Sequence, residues 1–156
     1  MQQETMAKPE EQAQTQPRPF RNRDAAKCVE IAEIMAGSFV RGSLEGEASF
    51  VDSGGERFSR VEACGTVIGK EETQNGPRLF LFDGTGSIAV RAYAPEGARA
   101  LQGINKGEDC IIVGKLRESQ ERFLSAESVF PLADPNWETV HCLRAALRKR
   151  SHAQGL

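Results

Sequence analysis

The chain contains one strong hairpin signal, the stretch LFLFDGTGSIAVRAY from Leu79 to Tyr93. An Asp-Gly pair between two hydrophobic runs favours a tight turn, because glycine accepts the positive φ that such turns require. The run before the turn is wholly apolar. The run after it alternates, with Arg91 and Tyr93 on the side opposite Ile88 and Val90. We therefore predict two paired strands that carry an arginine and a tyrosine on an exposed sheet face.

The composition argues against strong autonomous binding of DNA or RNA. The chain has 156 residues, with 20 Lys and Arg against 22 Asp and Glu, and a formal net charge of −2. A phosphate-binding protein usually carries a basic surplus or a basic patch. The length suits one domain with tails, and the 15 glycines with short β-rich runs favour an all-β or α+β domain over a helical bundle.

The cysteines and histidines show no pattern typical of a metal or redox site. Cys28, Cys64, Cys110 and Cys142 are far apart in sequence, which argues against a zinc ribbon or a CxxC motif. His141, like His152, has no Cys or carboxylate at a metal-ligand spacing. We expect buried free cysteines in a reducing compartment, with no metal and no cofactor.

Motifs of enzymes and of membrane proteins are also missing from the sequence. There is no P-loop, no dinucleotide-binding loop and no usable nucleophile with a histidine partner, so we expect neither catalysis nor a small-molecule substrate. No apolar run approaches the roughly 20 residues of a membrane span, and no signal-peptide core follows Met1. The expected location is cytoplasmic and nucleoid-associated, without membrane contact.

Turn signals divide the chain into four parts. Residues 1–23 are rich in Gln, Glu and Pro and should be disordered. Residues 24–57 should form an extension that packs on the main domain, with a helix in the first half of 24–40 and a short strand at 48–51. The main domain should cover residues 58–132, and a helix should follow at 134–150.

The main domain has the strand order of a closed barrel. Three strands come first, at 60–70 and in the hairpin, and Gly65 in the middle of the first marks a bend. A short helix at 95–103 and two more strands, at 109–117 and 122–130, follow. This β-β-β-α-β-β order predicts a mainly β fold, a five-stranded OB-fold barrel with a short helix between strands 3 and 4 and a C-terminal α-helix.

The wholly apolar strand before the turn leaves one question open. Phe80 and Phe82 alternate with Leu79 and Leu81, so only one pair can fill the barrel. We expect the phenylalanines to be that pair. The leucines would then need cover from the N-terminal segment, from the final helix or from another chain.

The last helix has clear end signals and an apolar stripe. Asp134 is a good N-cap, Pro135 fits the first turn, and basic residues crowd the far end. The apolar side chains recur at spacings of three and four, and they are Trp137, Val140, Leu143 and Leu147. Such a stripe packs either on its own barrel or in a seam between helices.

Residues 60–150 resemble the middle subunit of replication protein A, the single-stranded DNA-binding complex, and its archaeal relatives. The most specific stretch is VGKLRESQERFLSAESVFPLADPNWETVHCLRAAL, residues 113–147. Val90, Arg91 and Tyr93 also match, as does Gly65. Residues 31–67 look more like archaeal proteins associated with replication protein A. One departure is Ser119, which stands where the eukaryotic subunit has a second stacking aromatic residue.

The resemblance implies an archaeal subunit of a heterotrimeric complex that binds and protects single-stranded DNA in DNA replication, repair and recombination. In the family the C-terminal helix joins a three-helix bundle with partner subunits. This implies that other replication protein A subunits are partners, and that the apolar stripe is the subunit interface.

Binding of a single strand requires aromatic faces for stacking and cations along a groove. Tyr93 with Arg91 is the best candidate, and Phe123 is the candidate substitute for the aromatic residue missing at Ser119. The other candidate nucleic-acid contacts are Lys70, Arg78, Lys115, Arg117 and Arg122.

Two other functions remain open. The first is an assembly subunit that binds little DNA itself, which the net charge of −2 and Ser119 favour. The second is an RNA-binding barrel of the tRNA or translation type, in which the C-terminal helix would have no obvious purpose.

Overall fold

The computed structural model describes residues 24–155, so the tail at 1–23, with its predicted disorder, lies outside the described residues. Nine strands and three helices occur in the described part. They are β1 (Lys27–Cys28), α1 (Ile31–Ala36), β2 (Ser38–Val40), β3 (Phe50–Ser53), β4 (Glu56–Phe58), β5 (Arg60–Thr73), β6 (Gly76–Phe82), β7 (Ser87–Arg91), α2 (Pro95–Gln102), β8 (Asp109–Glu118), β9 (Arg122–Pro131) and α3 (Asn136–Ala153).

Strands β5 to β9 close into the predicted five-stranded barrel. The pairing runs β5–β6–β7–β9–β8 and returns from β8 to β5, so no strand of the barrel is left as an edge. Only β7 and β9 pair in parallel; the other pairs are antiparallel. Helix α2 lies between the third and fourth strands of the barrel, as predicted.

Gly65 lies where β5 leaves one neighbour for the other. The next residue, Thr66, pairs both with Asp109 of β8 and with Phe82 of β6. A Cβ atom on Gly65 would lie 2.4 Å from the carbonyl oxygen of Phe82, so a side chain there would force the strands apart. The glycine therefore permits the bend by which one long strand serves both halves of the barrel.

The barrel interior is filled by aliphatic side chains, and the prediction that Phe80 and Phe82 fill it is wrong. Leu79 and Leu81 are fully buried in the core, whereas Phe82 is 42% exposed and Phe80 packs under Arg78 on the outside. A strand that is apolar on both faces does not reveal by its pattern which face is inside. The leucines thus need no cover from another segment or chain.

The extension contributes to the same core and is held by the hairpin turn. Strand β1 pairs in parallel with β5, and β2, β3 and β4 form a small antiparallel sheet. Helix α1 begins later than predicted, because its first N–H groups find acceptors in the turn. The N–H of Ile31 donates to Asp83 Oδ2 at 2.8 Å, and that of Ala32 donates to Thr85 Oγ1 at 3.1 Å.

Helix α3 packs across β1 and β5 through one face only. Its start is close to the prediction, since Asp134 Oδ1 accepts a hydrogen bond from the N–H of Asn136 at 2.9 Å. His141 and Ala145 are its buried residues. None of the helices in residues 24–155 is both long and apolar enough to cross a membrane.

Candidate nucleic-acid interface

Two neighbouring rows of outward-facing side chains cross the barrel, and we call the surface that they form the outer face. The register places Phe80, Ala89, Phe123 and Arg117 beside one another on four neighbouring strands. The adjacent row contains Arg91, Ser125, Lys115 and Arg60. Side chains at alternate positions share a face, so the aromatic and the basic residues lie on one continuous surface.

Tyr93 is the most exposed aromatic residue of this surface. Its side chain is 67% exposed, and its ring centroid lies 6.2 Å from that of Phe123 at an interplanar angle of 53°. Phe123 is only 3% exposed, and the guanidinium of Arg91 covers its ring at 5.1 Å. Phe123 therefore supports Tyr93 and Arg91 from beneath, and Tyr93 presents the ring that a base can reach.

Arg78 and Arg91 are held by carboxylates. Arg78 pairs with Glu71 at 3.0 Å and also with Glu121, which in turn lies 3.2 Å from Arg91. The hydrogen bond with Glu121 is the main cause that raises the pKa of Arg78. The Nε atoms of both arginines are buried and have no hydrogen-bond partner within residues 24–155. The two guanidinium groups also lie over phenylalanine rings, that of Arg78 over Phe80 and that of Arg91 over Phe123.

Lys115 and Arg117 are the free cations of the outer face. Both are exposed, and neither forms an ion pair in the described part of the chain. They line a cavity of about 620 Å³ together with Tyr93 and Ser125. They also line a second cavity, of about 410 Å³, beside Ser59. A polyanion in the first cavity would meet these two unpaired cations, and it would also lie near the carboxylates of Glu96 and Glu127, which line the same cavity.

Two of the predicted nucleic-acid contacts, Lys70 and Arg122, are hydrogen-bonded to backbone carbonyl groups away from the outer face. Lys70 Nζ donates to the carbonyl oxygens of Gln102 and Ile104, at 2.7 and 3.1 Å, and so caps the end of α2. Arg122 Nη1 donates to three carbonyls at the end of α1, the nearest being that of Gly37 at 2.7 Å. Cations near helix C-termini are favourable, and both residues have a structural use.

Sequence reasoning missed the phenylalanines of β6 as outer-face residues. Phe80 lies in the aromatic row, and Phe82 is partly exposed two positions further along the same strand. The burial of the leucines between them is the observation that identifies this face. The interior of a small barrel is filled by side chains. A preference for branched aliphatic side chains there would have favoured the leucines as the inner pair and the phenylalanines as the outer one.

The helix α3 carries charged contacts on one face and bare apolar groups on another. Arg148 Nε donates to the carbonyl oxygen of Cys28 at 2.6 Å, and its guanidinium pairs with Glu33 and Glu56. The four predicted interface residues lie away from these contacts and are 40% to 61% exposed; they are Trp137, Val140, Leu143 and Leu147. The helix therefore docks on its own chain without using the apolar stripe.

The structure also brings Cys28, Glu62 and His141 together between β1, β5 and α3, a cluster that the linear spacing does not indicate. Burial, with a smaller contribution from Glu62, raises the pKa of the Cys28 thiol to about 11. The hydrogen bond with His141 holds the pKa of Glu62 below its usual range, although burial acts in the opposite direction.

Comparisons with known proteins find similarity in structure only. No family model matches the sequence, and no curated protein matches it. A chain of the S. pombe Stn1-Ten1 complex superposes with a TM-score of 0.74 at 16% identity, over 84% of this chain and 96% of that one. The chain has the OB fold. The prediction of this fold from strand order is confirmed.

Two further OB-fold neighbours come from replication protein A. A chain of a replication protein A heterotrimer bound to single-stranded DNA gives a TM-score of 0.66 at 20% identity, over 84% of this chain and 98% of that one. A chain of yeast replication protein A bound to single-stranded DNA gives 0.62 at 20% identity, over 85% and 95%. At such identities the likeness establishes the fold. The resemblance to the middle subunit stays a prediction.

Proposed function

We propose that this chain is an OB-fold subunit of a heteromeric complex that binds single-stranded DNA and protects it in replication, repair and recombination. The observation that carries the proposal is the outer face, where Tyr93 and a row of cations lie on one surface across four strands. The comparisons support it, because two of the similar structures are replication protein A complexes bound to single-stranded DNA.

The proposed mechanism is non-catalytic. A base stacks on the exposed ring of Tyr93, which is held at a fixed angle by Phe123. The phosphates on either side contact Lys115 and Arg117, which have no carboxylate partner to lose in the described residues. Stacking contributes roughly 1–3 kcal/mol per base and tolerates any base, so such a site selects single strands rather than sequences.

Subunit assembly is proposed for the apolar stripe of α3. A stripe with its side chains mostly in water is unfavourable on a monomer, and a helix-helix seam with partner subunits would bury it. The opposite face of the helix is already held by Arg148 and His141. The helix is thus fixed to its own barrel while it presents the stripe outward.

One observation favours the rival function, an assembly subunit that binds little DNA. Glu121 and Glu71 already neutralise Arg78 and Arg91, which leaves fewer free cations on the outer face than the sequence indicates. In that case the barrel would serve mainly to hold α3 and the partner subunits in position.

The Tyr93→Ala substitution tests DNA binding directly. With the full chain and a fluorescent oligo-dT, loss of one stacking platform should weaken binding by about 5- to 150-fold, which corresponds to 1–3 kcal/mol. Tyr93→Phe should bind as the wild type does, since it keeps the ring. Phe130→Ala is the matched control. Phe130 is also exposed, but it lies near the end of β9, whereas Tyr93 contacts Phe123 near the start of that strand. Equal effects at both positions would contradict the proposal.

A further inference from the structure

Cys28, Glu62 and His141 converge at the junction of three elements. Cys28 and Glu62 are register partners on the adjacent strands β1 and β5, and His141 comes from the buried face of α3. Glu62 Oε1 lies 3.2 Å from His141 Nδ1 and 3.6 Å from Cys28 Sγ. The ligand atoms of all three residues lie within 4.8 Å of one another, and the cysteine and the histidine are buried.

The other ring nitrogen of His141 determines what faces the cluster. Nε2 lies 3.1 Å from the carbonyl oxygen of Val29, which can only accept a hydrogen bond, so Nε2 carries the proton. A neutral ring would then present the Nδ1 lone pair to the carboxylate of Glu62, whereas a hydrogen bond between the two requires a second ring proton, on Nδ1. Metal-ligating histidines almost always donate their second N–H to a carbonyl, a carboxylate or water in this way, which fixes the tautomer.

His141 Nδ1 and Glu62 Oε1 lie 3.2 Å apart in a partly buried place, so a proton or a metal ion must lie between them. A proton would satisfy His141 and Glu62 alone and would leave Cys28 as a weak hydrogen-bond donor. A metal ion would use all three groups.

We propose that Cys28, Glu62 and His141 form a binding site for one borderline-soft divalent cation of the Zn²⁺ type. Thiolate, imidazole and carboxylate are the three ligand groups that zinc binds. Zinc bonds of about 2.3 Å to sulfur and 2.0 Å to nitrogen or oxygen place tetrahedral ligands roughly 3.3 Å (N to O) and 3.5 Å (S to O) apart. Two observed separations, 3.2 and 3.6 Å, match these values, and the separation of the sulfur and the imidazole nitrogen is within 4.8 Å.

A water molecule would supply the fourth ligand of a tetrahedral ion. Arg144 is a charged neighbour of the cluster, with Nη1 3.4 Å from Glu62 Oε1, and its exposed side chain can turn to solvent when the ion and a water enter. Binding releases two protons to solvent, that of the Cys28 thiol and the one between His141 and Glu62. The bound ion would join β1, β5 and α3, so it would fix the helix to the barrel. The proposal stands independently of DNA binding.

Cobalt titration of the full, reduced chain after chelator treatment tests the site. One Co²⁺ per chain should bind and produce a thiolate-to-cobalt charge-transfer band in the near ultraviolet, and Zn²⁺ should abolish that band by displacement. Cys28→Ser should remove the band and lower affinity by more than the roughly tenfold that loss of an outer-shell partner costs. Cys142→Ser, an exposed cysteine on the same helix as His141, should retain both.

Three outcomes would overturn the metal site. They are a wild-type spectrum without the charge-transfer band, equal cobalt binding by Cys28→Ser, and loss of the band in Cys142→Ser. The wild-type spectrum decides the question even if Cys28→Ser fails to fold, which circular dichroism would detect. Each of these outcomes would leave a proton as the only cation between His141 and Glu62.

Discussion

Glu121 is the residue on which the free charge of the outer face depends. It lies in the turn between β8 and β9 and pairs with both Arg78 and Arg91. A phosphate that reaches either arginine must displace this carboxylate. The positive potential of the outer face is therefore lower than the number of its basic residues suggests.

Glu121→Gln should strengthen binding of oligo-dT by the full chain, because it frees two guanidinium groups. The salt dependence of log K should become steeper by about 0.7 for each additional phosphate contact on a single strand. Fluorescence anisotropy across a salt series measures both effects. Glu72→Gln is the matched control, since it changes the net charge equally but Glu72 pairs with no cation in residues 24–155. If the two variants behaved alike, bulk charge would explain the result and Glu121 would have no special role.

At the scale of the element, α3 has two faces with different surroundings. Its inner face is held by Arg148, which is largely buried between Glu33 and Glu56 and covers the ring of Phe58 at 4.8 Å. Its apolar stripe is exposed. Changes on the two faces should therefore have different consequences.

Arg148→Met should destabilise the docking of α3. Removal of one partner from a buried ion pair typically costs about 3–5 kcal/mol, because the other charge stays buried without compensation. Lys149→Met is the control on the next residue, whose half-exposed pair with Glu30 and longer contact with Glu33, at 3.5 Å, should contribute less than about 1 kcal/mol. Urea unfolding followed by circular dichroism measures both free energies. A similar small loss for both variants would mean that Arg148 does not hold the helix.

Leu143→Asp with Leu147→Asp should abolish co-purification with the partner subunits of the proposed complex. Both side chains are mostly exposed, so the free energy of unfolding of the lone chain should change by no more than about 0.5 kcal/mol. Leu44→Asp replaces another exposed leucine, in the loop before β3, and should leave association intact. Continued co-purification of the double variant would show that the stripe is not the subunit interface.

At the scale of the whole molecule, the fold was largely predictable and parts of the site were not. Gly65 and the strand order predicted barrel closure, because the bend in β5 and the order of the strands depend on short stretches of sequence. The sequence could not show which face of β6 points into the barrel, since Leu79 and Phe80 are both apolar. The roles of Lys70 and Arg122 depend on which helix ends lie nearby, and only the folded chain brings those carbonyls to them.

We propose that this chain binds single-stranded DNA through the outer face even without its partners. A salt titration tests this most directly. Fluorescent oligo-dT is titrated with the full chain and with its complex at several salt concentrations. We predict binding by the lone chain, with log K falling against log salt at a slope of about −1.4, as phosphate contacts to the two unpaired cations Lys115 and Arg117 require. No binding by the lone chain at low salt, with binding by the complex that Tyr93→Ala leaves unchanged, would contradict the account and identify an assembly subunit.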